Sequence, residues 1–303
     1  MSFVKLSAMF NAMAHENRFC PSTVCSAVIP GCCLVFLFAC PRCVADKTPP
    51  AAGVVDRTFI AVHDGTEQKY VVMTPESLIP DQPVSILIAL HGHGSDRWQF
   101  VRQARGECRA TRDVAAASGM LLISPDYRAK TSWMGPAAEA DMLQIIRTLQ
   151  QQFDVSRVII CGGSMGGTAA LTFSALHSDA IDGVVSLNGT ANLVDYQRFQ
   201  DAIAASYGGS KQEVPEEYRK RSAEFFPQNF AMPLATTTGG QDEVVPANSV
   251  LRLVDNIRKH NPNVLSIHRP DGGHSTNYAD TKKALEFVIS ACHANQQPHR
   301  QKD

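Results

Sequence analysis

Residues 157–167 read RVIICGGSMGG, and this stretch decides the fold class. Arg157 to Cys161 is a short apolar, β-branched run of the kind a strand covered on both faces requires. Gly162-Gly163-Ser164-Met165-Gly166 follows at once and matches G-x-S-x-G, after which Met165 to His177 reads as a helix. A serine forced into a tight strand-to-helix turn adopts strained backbone angles, and its neighbours must be glycine to avoid clashes. Its hydroxyl then projects above the sheet. The Met165 amide opens a helix whose positive dipole end faces a reacting carbonyl. A glycine-rich phosphate loop is the rival reading, but the lysine of a P-loop does not accompany Ser164.

Outward from this turn, strand-like and helix-like segments alternate. Apolar runs at Val84–Leu90, Met120–Ser124, Gly183–Leu187, Pro233–Thr238 and Val264–His268 are interleaved with helix-compatible stretches at Arg97–Ala117, Pro136–Gln152, Pro246–His260 and Thr276–Cys292. Within Pro136–Gln152, Met142, Ile145, Ile146 and Leu149 recur at helical spacing and form one stripe facing a sheet. Thr58–His63 and Tyr70–Met73 read as an opening antiparallel pair around an Asp64-Gly65 turn. The alternation predicts an α/β domain over residues 57–293, with a mainly parallel sheet flanked by helices. Residues 192–231 are too long for an ordinary strand connection and predict a small helical cap insertion. The polar tail, residues 294–303, is expected to fray.

The 303 residues carry 28 Lys and Arg against 29 Asp and Glu, and that balance gives no electrostatic footprint for nucleic acid. Residues 1–45 differ in character. Val24 to Ala39 is apolar but interrupted by Pro30 and Gly31, which fits a secretory signal peptide better than a membrane span. A lipoprotein leader is the second reading, with Leu37-Phe38-Ala39-Cys40 resembling a lipobox and Cys40 as lipid anchor. The expectation is a secreted or cell-envelope (periplasmic) protein. Residues 46–56 read as a linker. Six of the nine cysteines precede residue 44, leaving Cys108, Cys161 and Cys292 in the body, so the chain is no disulfide scaffold.

Three further motifs sit at the carboxyl ends of predicted strands, the edge where open α/β sheets build their sites. Leu90-His91-Gly92-His93-Gly94 follows the first apolar strand, and its glycines let backbone amides face the space above the sheet. The N–H groups of His93 and Met165 are the expected oxyanion-hole donors. His91 and His93 with Asp96 are a rival metal set, but the spacing departs from H-x-H-x-D-H and nothing later completes it, so no metal is expected. Gly239-Gly240-Gln241-Asp242 and Gly272-Gly273-His274 complete the set. Asp271 and Glu243 are weaker rivals for the acid. Trp133 is expected to line the substrate pocket, with Tyr127, Arg128, Tyr196, Phe199 and Tyr207 as further candidates.

These motifs, in the order Ser164, Asp242, His274, resemble the α/β-hydrolase superfamily from about Arg57 to Cys292. Within it, the HGHG loop, the modest cap and the QDEVVP…GGH ending are similar to serine esterases of the prolyl oligopeptidase-like and feruloyl or acetylxylan esterase-like groups. The resemblance implies Ser164 as nucleophile, His274 as general base and Asp242 as the supporting acid. It implies no metal or organic cofactor, and a small-molecule or carbohydrate-linked ester as substrate. A peptidase acting on short peptides and a catalytically inactive binding protein of the same fold are the alternatives.

Overall fold

In the computed structural model, which describes residues 52–79 and 82–294, strands and helices alternate as the sequence predicts. The signal or lipoprotein leader, Cys40 and the tail from residue 295 lie outside the described residues. β1 (Gly53–Ile60) and β2 (Glu67–Thr74) pair antiparallel, and β2 pairs antiparallel with β4 (Leu121–Pro125). The remaining pairs are parallel, joining β3 (Val84–Leu90), β5 (Val155–Gly163), β6 (Gly183–Leu187), β7 (Leu234–Gly239) and β8 (Val264–Arg269). The order β1-β2-β4-β3-β5-β6-β7-β8 makes one mostly parallel sheet of eight strands.

Side chains alternate across this sheet and build two cores. Ile86, Ile88, Leu90, Val158 and Ile160 face one side, where α3 (Pro136–Gln152), α4 (Met165–Leu176) and α7 (Asn248–Ile257) cover them. Leu87, Ala89, Ile159 and Cys161 face the other, beneath α2 (Gly106–Ala117) and α8 (Tyr278–Ala294). Each such aliphatic side chain removed fully from water contributes about 1.5–3 kcal/mol. Cys108, Cys161 and Cys292 are buried free thiols in or beside the second core.

Two boundaries differ from the sequence reading. β1 starts at Gly53, inside the stretch 46–56 expected as linker, because backbone pairing with β2 carries an edge strand whose side chains are largely exposed. Arg97–Ala117 is two helices, α1 (Gln99–Arg102) and α2, with Gln103 extended between them. Gly106 packs so closely on the Asn277–Tyr278 backbone that a Cβ there would lie 2.7 Å from the Tyr278 nitrogen. That long-range contact turns the chain where local pattern continues the helix.

The cap occupies the connection between β6 and β7 as α5 (Gln200–Tyr207), α6 (Pro215–Lys220) and two single 3₁₀ turns. Arg221, only 1% exposed, fastens it to the body. Its guanidinium donates to Met134 O at 2.8 Å, Glu139 Oε2 at 2.7 Å and Glu217 Oε2 at 3.0 Å. His177 Nε2 lies 2.8 Å from Glu139 Oε1. Burial alone would raise the Glu139 pKa, but the His177 hydrogen bond and the Arg221 charge and hydrogen bond outweigh it and hold the carboxyl at about 2.

Removing one partner of a buried ion pair leaves the other charge uncompensated. Arg221→Met is expected to lower the unfolding free energy by about 3 kcal/mol at pH 7 in urea titrations. A carboxylate with a depressed folded pKa stabilises above its unfolded value and loses that contribution as pH falls through the folded one. The difference between wild type and variant therefore shrinks as pH drops from about 4.5 towards 2.

Candidate active site

The carboxyl ends of β3, β5, β6, β7 and β8 open on one cavity of about 430 Å³. Ser164 terminates β5 at φ +57° and ψ −117°, a conformation that costs a non-glycine residue energy. Its surroundings explain why it stays there. A Cβ on Gly166 would collide with the carbonyl of Leu90, and one on Gly162 with the Gly166 backbone, so β3, β5 and α4 close to backbone contact around the turn. The Ser164 N–H donates to Leu187 O at 2.8 Å, tying the turn to β6.

His274 and Asp242 reach this serine from the loops after β8 and β7. Ser164 Oγ lies 2.8 Å from His274 Nε2, and His274 Nδ1 lies 2.7 Å from Asp242 Oδ2. The Asp242 side chain is fully buried and that of His274 is 25% exposed, so the chain of contacts runs from the interior to the cavity. Asp242 Oδ1 accepts the N–H groups of Val244 at 3.0 Å and Val245 at 2.8 Å, which fixes the carboxylate plane. With Nδ1–H donated to a carboxylate, His274 Nε2 is left as an acceptor for the serine hydroxyl. Of the rival acids, Glu243 borders a separate groove beside the cap and Asp271 lines a pocket on the outer side of the His274 loop.

The amide donors expected from sequence stand open. Gly92 N–H donates to Gln99 Oε1 at 2.8 Å and Gly94 N–H to Lys130 O at 2.7 Å, which pins the loop on either side of His93. Among the described residues the N–H groups of His93 and Met165 make no hydrogen bond. His91 is spent on structure instead. Its buried ring lies against Tyr127, with Nδ1 2.9 Å from Gly92 O and Nε2 3.2 Å from Asp126 O, and burial pushes its pKa down. Asp96 accepts the Trp98 N–H at 2.9 Å. Among the described residues no three His, Cys, Asp or Glu side chains gather around a point that could hold a metal ion.

Trp133 corrects the sequence reading. It is 0% exposed and stands behind the cavity wall, not on its surface. Trp133 and Met134 both take positive φ, +45° and +56°. Its Nε1–H donates to His93 Nδ1 at 3.2 Å, and its ring lies 5.6 Å from Phe199. Phe199 covers the His93 ring at 4.3 Å and is the cap aromatic that lines the cavity. Tyr127, Tyr196 and Tyr207 are buried, and Arg128 is held by Asp64 and Asp141.

Sequence reasoning missed Asn188. It follows β6 at φ +49°, buried, with Nδ2 3.3 Å from Asp242 Oδ2 and 3.4 Å from Gly273 O. Its Oδ1 accepts the hydroxyls of Thr276 and, at 3.4 Å, Thr237. Asn188 thereby joins the Asp242 and His274 loops. Its place at a strand's carboxyl end, and the tolerance of asparagine for left-handed backbone, were the signals available.

The sequence profile of the prolyl oligopeptidase family matches residues 127–290, more than half of the chain. The chain belongs to the prolyl oligopeptidase family. Its fold is that of the α/β-hydrolase superfamily, and the family makes it a serine hydrolase. Among solved structures it is similar to the fluorophosphonate-binding serine hydrolase F of Staphylococcus aureus, at 18% identity over 80% of this chain and 99% of that one, TM-score 0.62. It is similar also to a ferulic acid esterase, at 17% identity over 80% of this chain and 98% of that one, TM-score 0.62. A puromycin hydrolase shares 21% identity over 80% of this chain and 39% of its own, TM-score 0.62. At these identities the likeness is one of fold. No curated protein sequence matches the chain.

Gly166→Ala is expected to destabilise the protein by about 1–3 kcal/mol, the usual cost of overpacking, since backbone atoms of Leu90 must move. Denaturant unfolding measures the loss, and wild-type stability in the variant would show that the elbow tolerates a side chain there.

Proposed function

We propose that the protein hydrolyses carboxylic esters through Ser164, His274 and Asp242. The observation that carries this reading is the hydrogen-bonded relay from a fully buried carboxylate, through one imidazole, to a strained serine facing a cavity. His274 Nε2 takes the hydroxyl proton as Ser164 Oγ attacks the ester carbonyl carbon. Asp242 holds the imidazole in the needed tautomer and stabilises the cation that forms. The negative charge on the carbonyl oxygen meets the N–H groups of His93 and Met165, and each such donor is worth about 10²–10³ in rate. The bond to the alcohol oxygen then breaks, and that oxygen receives the proton from His274. Water attacks the acyl-serine in the second half, giving one proton to His274, which returns it to Oγ as the acid departs.

An ester is favoured over a peptide by the short, one-sided cap. It leaves the cavity open, and the backbone-pairing strand that would hold an extended peptide is missing among the described residues lining it. The family profile keeps a second reading in view, a peptidase acting on short peptides.

Fluorophosphonate labelling of wild type and Ser164→Ala tests the nucleophile, alongside turnover of p-nitrophenyl acetate and of aminoacyl p-nitroanilides. Labelling and ester turnover are expected in the wild type and lost in the variant, with the anilides slower by orders of magnitude. Equal labelling of both proteins would remove Ser164 from its role, and faster anilide turnover would replace the esterase by a peptidase. Asn188→Ala is expected to lower kcat about tenfold with KM within twofold, because a long hydrogen bond to the carboxylate is worth about 1.4 kcal/mol. A change in KM alone would make Asn188 a wall of the cavity instead of a positioning residue.

A further inference from the structure

The proposed chemistry uses the backbone N–H of His93 and leaves its side chain without a task. That side chain sits among aromatic rings at the cavity wall. Phe199 lies on the imidazole at 4.3 Å, and the buried Trp133 indole lies 5.9 Å away. Phe199 keeps its place at φ +56°, which costs a bulky residue energy, and strain of this kind gathers where a site needs it. The Trp133 contact decides where the imidazole proton sits. An indole nitrogen can only donate, so the atom it meets must carry a lone pair. Trp133 Nε1–H donates to His93 Nδ1 at 3.2 Å, which leaves the proton of the neutral ring on Nε2. A second proton would set N–H against N–H and leave a buried indole donor unpaired, so the contact favours the neutral ring. Burial also moves the His93 pKa down, and no charged group among the described residues offsets it.

Nε2 has no hydrogen-bond partner among the described residues, yet it is not shut away from solvent as the unpartnered Arg128 Nε and Asp141 Oδ2 are. With Trp133 behind the wall, a donor of fixed tautomer is left open at the cavity. Strand order says which half of a substrate meets it. β3, which leads to His93, and β8, which leads to His274, lie on opposite sides of β5 and its Ser164. The departing alcohol oxygen collects its proton from His274, so the half on the β3 side is the acyl group. We propose that His93 donates from Nε2 to an uncharged oxygen close behind the ester carbonyl, and so selects acyl groups that carry one. The proposal rests on the ester-hydrolase reading and adds a specificity-determining side chain to it. Trp133 is then a positioning residue, acting on the substrate through the His93 tautomer.

The test sets p-nitrophenyl methoxyacetate against the butyrate, and the β-methoxypropionate against the pentanoate. Each pair exchanges one methylene for one oxygen and releases the same alcohol. The ether also activates the carbonyl, so the oxygen preference in kcat/KM is compared between wild type and His93→Phe. Intrinsic reactivity cancels in that comparison, as does any loss at the backbone amide common to both esters. The preference in at least one pair is expected to be about fivefold smaller in His93→Phe, the worth of one neutral hydrogen bond. A smaller fall is expected in Trp133→Phe, which keeps a ring and loses the N–H. Nitrogen NMR supplies a readout that lost packing does not mimic. His93 is expected as the Nε2–H tautomer in wild type and as a mixture of tautomers in Trp133→Phe. A proton on Nδ1 in wild type would overturn the proposal, as would equal preferences in wild type and His93→Phe. A preference that changes only between methoxyethyl acetate and butyl acetate would place the donor on the alcohol half and overturn it too. In each of these cases ester turnover continues and the ester-hydrolase reading stands. A wild type that neither labels with fluorophosphonate nor cleaves any of the esters removes that reading and this proposal with it.

Discussion

At Ser164 the backbone is held at φ +57° in a turn that three strands and a helix close around. The turn survives because backbone meets backbone on every side of it. Gly162 and Gly166 leave no room for side chains, Leu90 presents its carbonyl to α4, and Leu187 accepts the serine amide. Fixing the turn fixes the distance between β3 and α4, and with it the separation of the His93 and Met165 amides. The same contacts set how far the Asp242 and His274 loops must reach. A substituent at either glycine moves several proposed catalytic groups together, which is why the strain is maintained by packing in the rigid centre of the sheet.

Around that centre several polar side chains hold loops in place. Gln99 and the Lys130 carbonyl pin the loop on both sides of His93, and Val244 and Val245 orient Asp242. Asn188 spans the two loops that carry Asp242 and His274. Arg221 ties the cap to the Met134 carbonyl and to Glu139, and Trp133, next to Met134, supports the His93 ring. One buried guanidinium thus connects the cap to the loop whose Trp133 packs against His93 and Phe199.

Most of the sheet was legible because its strands are buried on both faces, and such strands read as continuous apolar runs. The elbow, the His91–Gly94 loop and the Asp242 and His274 loops were legible for a related reason. Their glycines and their places at strand ends are dictated by local backbone geometry. What escaped is what distant contacts decide. Arg97–Ala117 reads as one helix until Gly106 meets Tyr278, more than 170 residues later in the chain. The opening strand was expected from Thr58, and its start at Gly53 escaped because residues 53–57 are largely exposed and carry no apolar run. Trp133 looks like a pocket residue because its loop adjoins the site, yet its indole is buried against the rings of His93 and Phe199. Asn188 has a single-residue signal, and its meaning appears once two loops close on it.

A division of labour follows from where the pieces sit. The proposed relay and its amide donors come from the ends of β3, β5, β7 and β8, which the sheet holds in fixed relation. The walls that meet a substrate come from segments the sheet does not constrain, the cap on one face and the α1–α2 corner on the other. Substitutions in the walls can therefore change which substrate is accepted without disturbing the turn at Ser164, whereas substitutions at strand ends cannot. The α1–α2 corner lies on the adjustable side of that boundary, and the turn at Ser164 lies on the fixed side.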